Sequence, residues 1–239
     1  MKILSVKESV VEHLRTLIIT GELAPGQKLN ELELSSSLGI SRPPLREAFR
    51  VLENEHLVVS TPRKGVCVSE LSIEGLREVF QARVMIECWA IDLLKAAKIR
   101  FLPQMESALA FSSGLSIPSY DKNSKEEMLR YLENVVAYHR KLVETTHNHW
   151  LIHFYNSIHA NLARYQFIYT YIPGQSYDYK KRHKEILSLI KKEEYEKAKK
   201  HLRSHINAVV DILENNINRK TQSQPKGKKL RQHLTMASR

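Results

Sequence analysis

The chain has 239 residues, 42% of them hydrophobic, a formal net charge of +11 and two cysteines, Cys67 and Cys88. That length holds two ordinary domains, each able to bury a core, and two cysteines without framework spacing exclude a disulfide-stapled secreted fold. The chain opens without an apolar leader and holds no apolar run that could span a bilayer, so the expectation is a reduced, cytoplasmic protein with a polyanionic partner and no membrane.

The charge is unevenly spread. Residues 1–70 carry nine basic and nine acidic side chains, residues 71–218 a net +4, and residues 219–239 seven basic side chains and no acidic one. Three segments follow from this division: 1–70, 71–218 and a basic tail, 219–239. The tail is too polar to bury a core and is expected to be a disordered arm that adds unspecific attraction to phosphates.

Along the first segment, Val6, Val10, Leu14, Leu17 and Ile18 recur at helical spacing between Ser5 and Gly21, predicting a capped amphipathic helix. Pro25-Gly26 reads as a turn. Asn30 then caps a second helix, with Glu33 placed to complete a capping box, and Gly39 closes it. In "GISRPPLREAFRVLENEHL", Leu45, Ala48, Phe49 and Leu52 form one face of a third helix, while Arg42, Arg46 and Arg50 line the other at four-residue steps with only Glu47 between them.

Like charges in a row cost stability in isolation, but guanidinium groups match phosphates and guanine edges bidentately. The prolines fit the same purpose. The first N–H groups of a helix have no internal partner, so Pro43 and Pro44 lose no bond there and stiffen the entry. They leave the Ser41 hydroxyl and the Arg42 guanidinium pointing outward from a positively polarised helix mouth.

Next, "LVVSTPRKGVCVSEL" alternates apolar and polar residues around Pro62-Arg63-Lys64-Gly65, a hairpin with a basic glycine tip. Three helices and a basic hairpin predict a winged helix-turn-helix, with Ser41, Arg42, Pro43, Arg46 and Arg50 in the major groove and Lys64 and Gly65 on a wing. The bland alternative is a helical domain with a solvated arginine face.

The stretch "LRTLIITGELAPGQKLNELELSSSLGISRPPLREAFRVLENEHLV" resembles the DNA-binding domain of GntR-family bacterial transcription regulators. The likeness is carried by Thr20-Gly21, by Leu23-Ala24-Pro25-Gly26, and by the run from Leu38 to Ala48. It implies that Arg42, Arg46 and Gly65 contact an operator. Pro43 stands where a hydrogen-bonding residue is common in the family, and Leu32 where some members carry an arginine.

Residues 72–218 show no repeats and almost no strand signal, and their apolar positions predict helices near 73–98, 101–113, 124–146, 149–171, 177–192 and 194–217. "SGLSIPSYDKN" breaks the run. The fold class is therefore mainly α: a winged helix-turn-helix followed by an all-α antiparallel bundle. "EVFQARVMIE" at 78–87 resembles the first-helix signature of the FCD ligand-binding domain.

That resemblance implies an effector anchor at Arg83, although a salt bridge to Glu87 one turn on is its plain structural reading. It also implies a divalent metal held by His139, His183 and His205, each on a different predicted helix. Val135 occupies the position where the family carries an aspartate, so the fourth ligand is lost or replaced by water or effector. Imidazole donors favour zinc or nickel. His149 with His153, and His201 with His205, are further helix-neighbour pairs that read as surface. Tyr155, Tyr165, Tyr169 and Tyr171 either line the pocket or pack the bundle.

Together these readings predict a homodimeric repressor that binds an inverted-repeat operator in double-stranded DNA and senses a small carboxylate. The competing reading is a metal-dependent enzyme acting on a small anion, for which no general base is visible. A protein coating DNA without sequence choice is the third.

Overall fold

The apolar stripe of the first helix, α1 (Val6–Ile19), buries Val10, Val11, Leu14 and Ile18, and the N-terminal part of the molecule is organised around it. The computed structural model describes residues 5–113, 125–172 and 179–222. By their contacts these fall into two units, one containing Met1–Ser72 and the other being Ile73–Lys220.

In the first unit, Ser5 accepts from the Glu8 amide while the Glu8 carboxylate accepts from the Ser5 amide at 2.8 Å, a reciprocal cap at the start of α1. The second helix, α2 (Glu31–Ser37), is capped by Asn30, whose side chain accepts from the Leu32 amide. The expected capping box is incomplete: Glu33 accepts from the Asn30 side-chain amide at 2.8 Å instead of from its backbone. The third helix, α3 (Arg42–Asn54), packs its Leu45, Ala48, Phe49 and Leu52 face on α1 and α2. Arg15 of α1 reaches Glu55, just past α3, through two hydrogen bonds of 2.6 and 2.9 Å.

A three-stranded antiparallel sheet completes the unit, in the order β1 (Lys28–Leu29), β3 (Gly65–Val68), β2 (Val58–Thr61). The β2–β3 pair is the predicted hairpin, with Thr61 opposite Gly65. Strand β1 is an addition. Two residues are too short to carry an alternating pattern, and their pairing is set by the turn before them, where Gly26 (φ +71°) donates to the Val68 carbonyl at 2.9 Å.

The second unit comprises α4 (Ile73–Ala96), α5 (Pro103–Ser113), α6 (Lys125–Glu144), α7 (His149–Thr170), α8 (Tyr179–Lys191) and α9 (Tyr195–Gln222). Helices α4, α6 and α7 pack on one another, and α5 packs on α6 and α8. Helices α4 and α6 end two residues inside the predicted ends, at Ala96 and Glu144, and α8 one residue inside, at Lys191. The chain then turns through Lys98, His147 and Glu193, at positive φ of 53° to 63°, without the glycine that marks such a turn in a sequence. Helix α9 departs the other way, running five residues past its expected end at 217 to Gln222. The rest of the basic 219–239 segment, and most of the break "SGLSIPSYDKN", lie outside the described residues.

Arg77 of α4 donates twice to Glu214 of α9, at 2.7 and 2.9 Å. Met85 and Trp89 on α4, and Trp150 and Phe154 on α7, remain exposed. Among the described residues no helix is long and apolar enough to cross a membrane.

Leu14 is fully buried at the α1–α3 contact, so Leu14→Ala leaves a cavity there. It is expected to destabilise the N-terminal unit by about 2–5 kcal/mol, read as a lower urea midpoint by circular dichroism. An unchanged midpoint contradicts the packing described.

Candidate functional sites

At the mouth of α3, Ser41 occupies the N-cap position with extended backbone (ψ 162°) but makes no side-chain cap bond, and Pro43 lies in the first turn. Ser41, Arg42, Pro43, Arg46 and Arg50 are all exposed, with the apolar face of α3 turned inward. Glu47 is the one carboxylate between the arginines along α3, but Arg46 has a partner from outside it: its Nε donates to Glu31 of α2 at 2.8 Å. Fifteen residues separate the two, and only the packing of α2 on α3 brings them together.

The wing tip turns through Arg63 (φ +64°) and Gly65 (φ +88°), and Lys64 stays exposed beside them. Sequence reasoning missed Lys28. It sits on β1 opposite Cys67, and its Cε lies 3.6 Å from where a Cβ on Gly65 would be. The sheet thus adds a third basic side chain to Arg63 and Lys64.

The second site is buried within the helical unit. His139 of α6, His183 of α8 and His205 of α9 turn their Nε2 atoms toward one point, at mutual distances of 2.9, 3.0 and 3.3 Å. Each is only 2 to 4% exposed. Tyr138 holds His183 from behind: the rings stack at 4.1 Å, and the Tyr138 hydroxyl donates to the His183 carbonyl at 2.9 Å.

His139 is oriented by Glu87 of α4, whose Oε2 lies 2.7 Å from Nδ1. A carboxylate there accepts a hydrogen bond from Nδ1–H and so keeps the proton on that nitrogen, which leaves the Nε2 lone pair directed at the other two rings. The second oxygen of Glu87 accepts from Arg83 Nε, also at 2.7 Å. Arg83 therefore makes the plain ion pair with Glu87, and it also borders the small cavity, about 20 Å³, beside the triad.

Burial sets the protonation of the cluster. It pushes all three imidazoles well below the ordinary histidine range, the charge of Arg83 pushing the same way, so they stand as neutral bases. Burial likewise raises the Glu87 carboxyl, and the charge and hydrogen bond of Arg83 act against that. On Arg83 burial is the largest single influence and acts downward, but the Glu87 charge, Tyr155 and the Glu87 hydrogen bond together outweigh it, and the guanidinium is held above its usual value.

Three neutral imidazole nitrogens facing one another form a donor set for a cation. An ion about 2.0–2.1 Å from each nitrogen places them about 2.9–3.4 Å apart, from right-angle to tetrahedral arrangement, and the observed edges match. Val135, one helical turn before His139, is buried and borders the cavity without offering a donor. The carboxylate that touches the triad is Glu87, 52 residues away, and it holds the outer nitrogen of His139 rather than facing the three Nε2 atoms.

The remaining candidates separate by place. Tyr169 borders the cavity; Tyr155 is buried, Tyr165 packs edge-on against Phe80 at 6.2 Å, and Tyr171 packs against Phe167. His149 and His153 are exposed at the start of α7, and His201 lies 3.7 Å from Glu185. Gln166 and Tyr179 border the cavity and carried no signal in the sequence.

Residues 6–68 match the family described as bacterial regulatory proteins, gntR family, and residues 78–208 match the FCD domain. Over 196 residues the chain is 27% identical to an HTH-type transcriptional regulator, YdhC, of Bacillus subtilis, covering 81% of this chain and 84% of that one. It is 29% identical over 169 residues to the HTH-type transcriptional repressor GlaR of Escherichia coli, covering 65% and 70%. Among solved structures, E. coli McbR/YncC superposes with a TM-score of 0.69 at 18% identity, over 90% of this chain and 100% of that one, a likeness of fold.

Buried neutral histidines make the unfolded chain the better proton acceptor once the pH falls below about 6.5, the ordinary histidine value. Their folded values are depressed, so stability is full above that pH and is lost as the pH falls. The metal-free protein is expected to lose up to about 1.4 kcal/mol per pH unit for each triad histidine, measured as urea midpoints between pH 7 and 5. Replacing all three by asparagine flattens the slope; an equal slope in the variant rejects the assignment.

Proposed function

Because the chain belongs to the GntR family of bacterial transcription regulators and carries an FCD domain, we propose that it is a cytoplasmic, ligand-responsive repressor. As a homodimer it binds an inverted-repeat operator, each copy reading one half-site with Ser41, Arg42, Pro43, Arg46 and Arg50 in the major groove and Lys64 and Gly65 on the wing. Its bundle holds a divalent ion, zinc or nickel, on His139, His183 and His205 and takes a small carboxylate beside Arg83. The matched family and the similar proteins are regulators, not enzymes.

The observation that carries the DNA reading is the exposed arginine face at a helix mouth whose Ser41 hydroxyl is not spent on capping. An exposed Arg46–Glu31 pair holds its charge weakly, and a phosphate or guanine edge offers Arg46 a stronger bidentate partner. The repressor assignment draws on the repressor GlaR. A second copy is supported by Met85 and Trp89 on α4 with Trp150 and Phe154 on α7, large apolar side chains left exposed on two helices that pack together. The basic segment 219–239 supplies unspecific attraction along the duplex.

The ion is supported by the three converging Nε2 atoms. Bound there, it supplies Lewis-acid affinity for an anion; the protein's part is to aim the imidazoles, through Glu87 for His139 and Tyr138 for His183, and to keep water out.

Selection from a pool of randomised duplexes is expected to enrich an inverted repeat bound by two copies, whereas enrichment of nothing, or of a lone half-site, rejects the reading. Arg46→Ala should cost about 1–3 kcal/mol of specific affinity by fluorescence anisotropy while leaving the thermal transition in place. Elemental analysis after zinc loading and desalting should find the metal in the natural chain and none in the His183→Asn, His205→Asn double variant. A natural chain that retains no metal removes the ion from the account.

A further inference from the structure

We infer that Lys28 is a further contact to the duplex, its ammonium group holding the sugar-phosphate backbone between the groove entered by α3 and the groove reached by the wing. This rests on the reading of α3 and the β2–β3 hairpin as the DNA-binding surface. The argument is one of register and unmatched charge.

The two residues of β1 point to opposite faces, Leu29 buried and Lys28 exposed. Lys28 stands opposite Cys67 and Leu29 opposite Val66, so Lys28 shares the outer face of the sheet with Cys67 and, two residues back along β3, with Gly65. Diagonal neighbours on a sheet are about 7–8 Å apart, and a side chain standing straight out would stay beside Cys67. The Lys28 Cε lies instead 3.6 Å from where a Cβ on Gly65 would be. The stem has therefore crossed the diagonal, and it carries the ammonium group toward the tip where Arg63 and Lys64 are exposed.

Nothing in the described protein answers that charge. The side chains of Lys28, Arg63 and Lys64 have no hydrogen-bond or ion-pair partner among the described residues. Nearby carboxylates are engaged elsewhere: Glu31 with Arg46, Glu33 with the Asn30 side chain and Glu53 with the Ser60 amide. Cations gathered at one end of a sheet repel one another, and a polyanion relieves that repulsion.

Chain position says which part of the polyanion. Two residues after Lys28, Asn30 caps α2, and Glu31 in the first turn of α2 holds Arg46 of α3. Lys28 is thus tied on one side to the helix that enters a groove and on the other to the wing. Neighbouring grooves are divided by a ridge of phosphates, so a cation set between two groove-entering elements faces that ridge. Lysine, a point charge without the planar fork of arginine, suits a phosphate better than a base edge. A lysine on an edge strand also deters pairing by another chain, and β1 is an edge of this sheet. The two roles predict different results.

The test uses the full chain and fluorescence anisotropy over about 50–200 mM salt, with the duplex enriched by selection and a randomised duplex of equal length. Lys28→Ala, and Lys28→Gln, which removes the charge and keeps a polar side chain, should each weaken both duplexes by the same factor. Each should make the fall of log K with log salt shallower by about 0.9, the loss of one phosphate contact, so the advantage of the natural chain shrinks about 3.5-fold across that range. Lys28→Arg should restore the slope. An unchanged slope in Lys28→Gln, or a loss confined to the enriched duplex, overturns the inference. So does weaker binding by Lys28→Gln that is accompanied by self-association in light scattering, the mark of an edge guard. A natural chain that prefers no duplex fails at the DNA reading itself, before any variant is made.

Discussion

A carboxylate buried as completely as Glu87 costs several kcal/mol unless both its oxygens are answered, and both are. Arg83 answers one from the preceding turn of α4, and His139 answers the other from α6. The bond to His139 decides which of its nitrogens carries the proton, and so directs a lone pair toward His183 and His205. Without it, His139 could turn a protonated nitrogen to the same point and the three rings would satisfy one another as hydrogen-bond partners instead of facing a cation. The Glu87 clasp thus links the packing of the bundle, the tautomer of a ring and the chemistry of the cavity.

The N-terminal unit solves an opposite problem. There the arginine side chains of α3 are exposed, and the caps lie elsewhere: α1 is closed by Ser5 with Glu8 and α2 by Asn30, while Ser41 at the mouth of α3 makes no side-chain cap bond. The Arg46–Glu31 pair is the exception, and exposure keeps it weak.

What could be read from the residues alone follows distance along the chain. Leu45, Ala48, Phe49 and Leu52 share a face through helical periodicity, and the basic hairpin tip follows from Pro62 to Gly65, so α3 and the β2–β3 ribbon were legible. The three histidines were legible as a set through the words around them, each on its own helix. Glu87 beside His139, Glu31 beside Arg46 and Lys28 beside Gly65 were not, because each pairing is made by the docking of separate elements and no local pattern encodes it. The helix ends before Lys98, His147 and Glu193 were legible to within one or two residues, but the left-handed turns at those residues were not, because no glycine marks them.

The histidine site draws its parts from four helices, with Glu87 on α4, His139 on α6, His183 on α8 and His205 on α9. Filling it therefore bears on the relative placement of four elements, whereas a ligand held by one helix could shift only that helix. The influence of an occupant on DNA reading is nevertheless bounded by the difference in its affinity for the reading and non-reading arrangements. A tenfold change in operator affinity requires about 1.4 kcal/mol of such difference. One charge-assisted hydrogen bond, worth about 1.5–3 kcal/mol, covers that if it forms in only one arrangement. A site that ties four helices together can concentrate a difference of that size at one place.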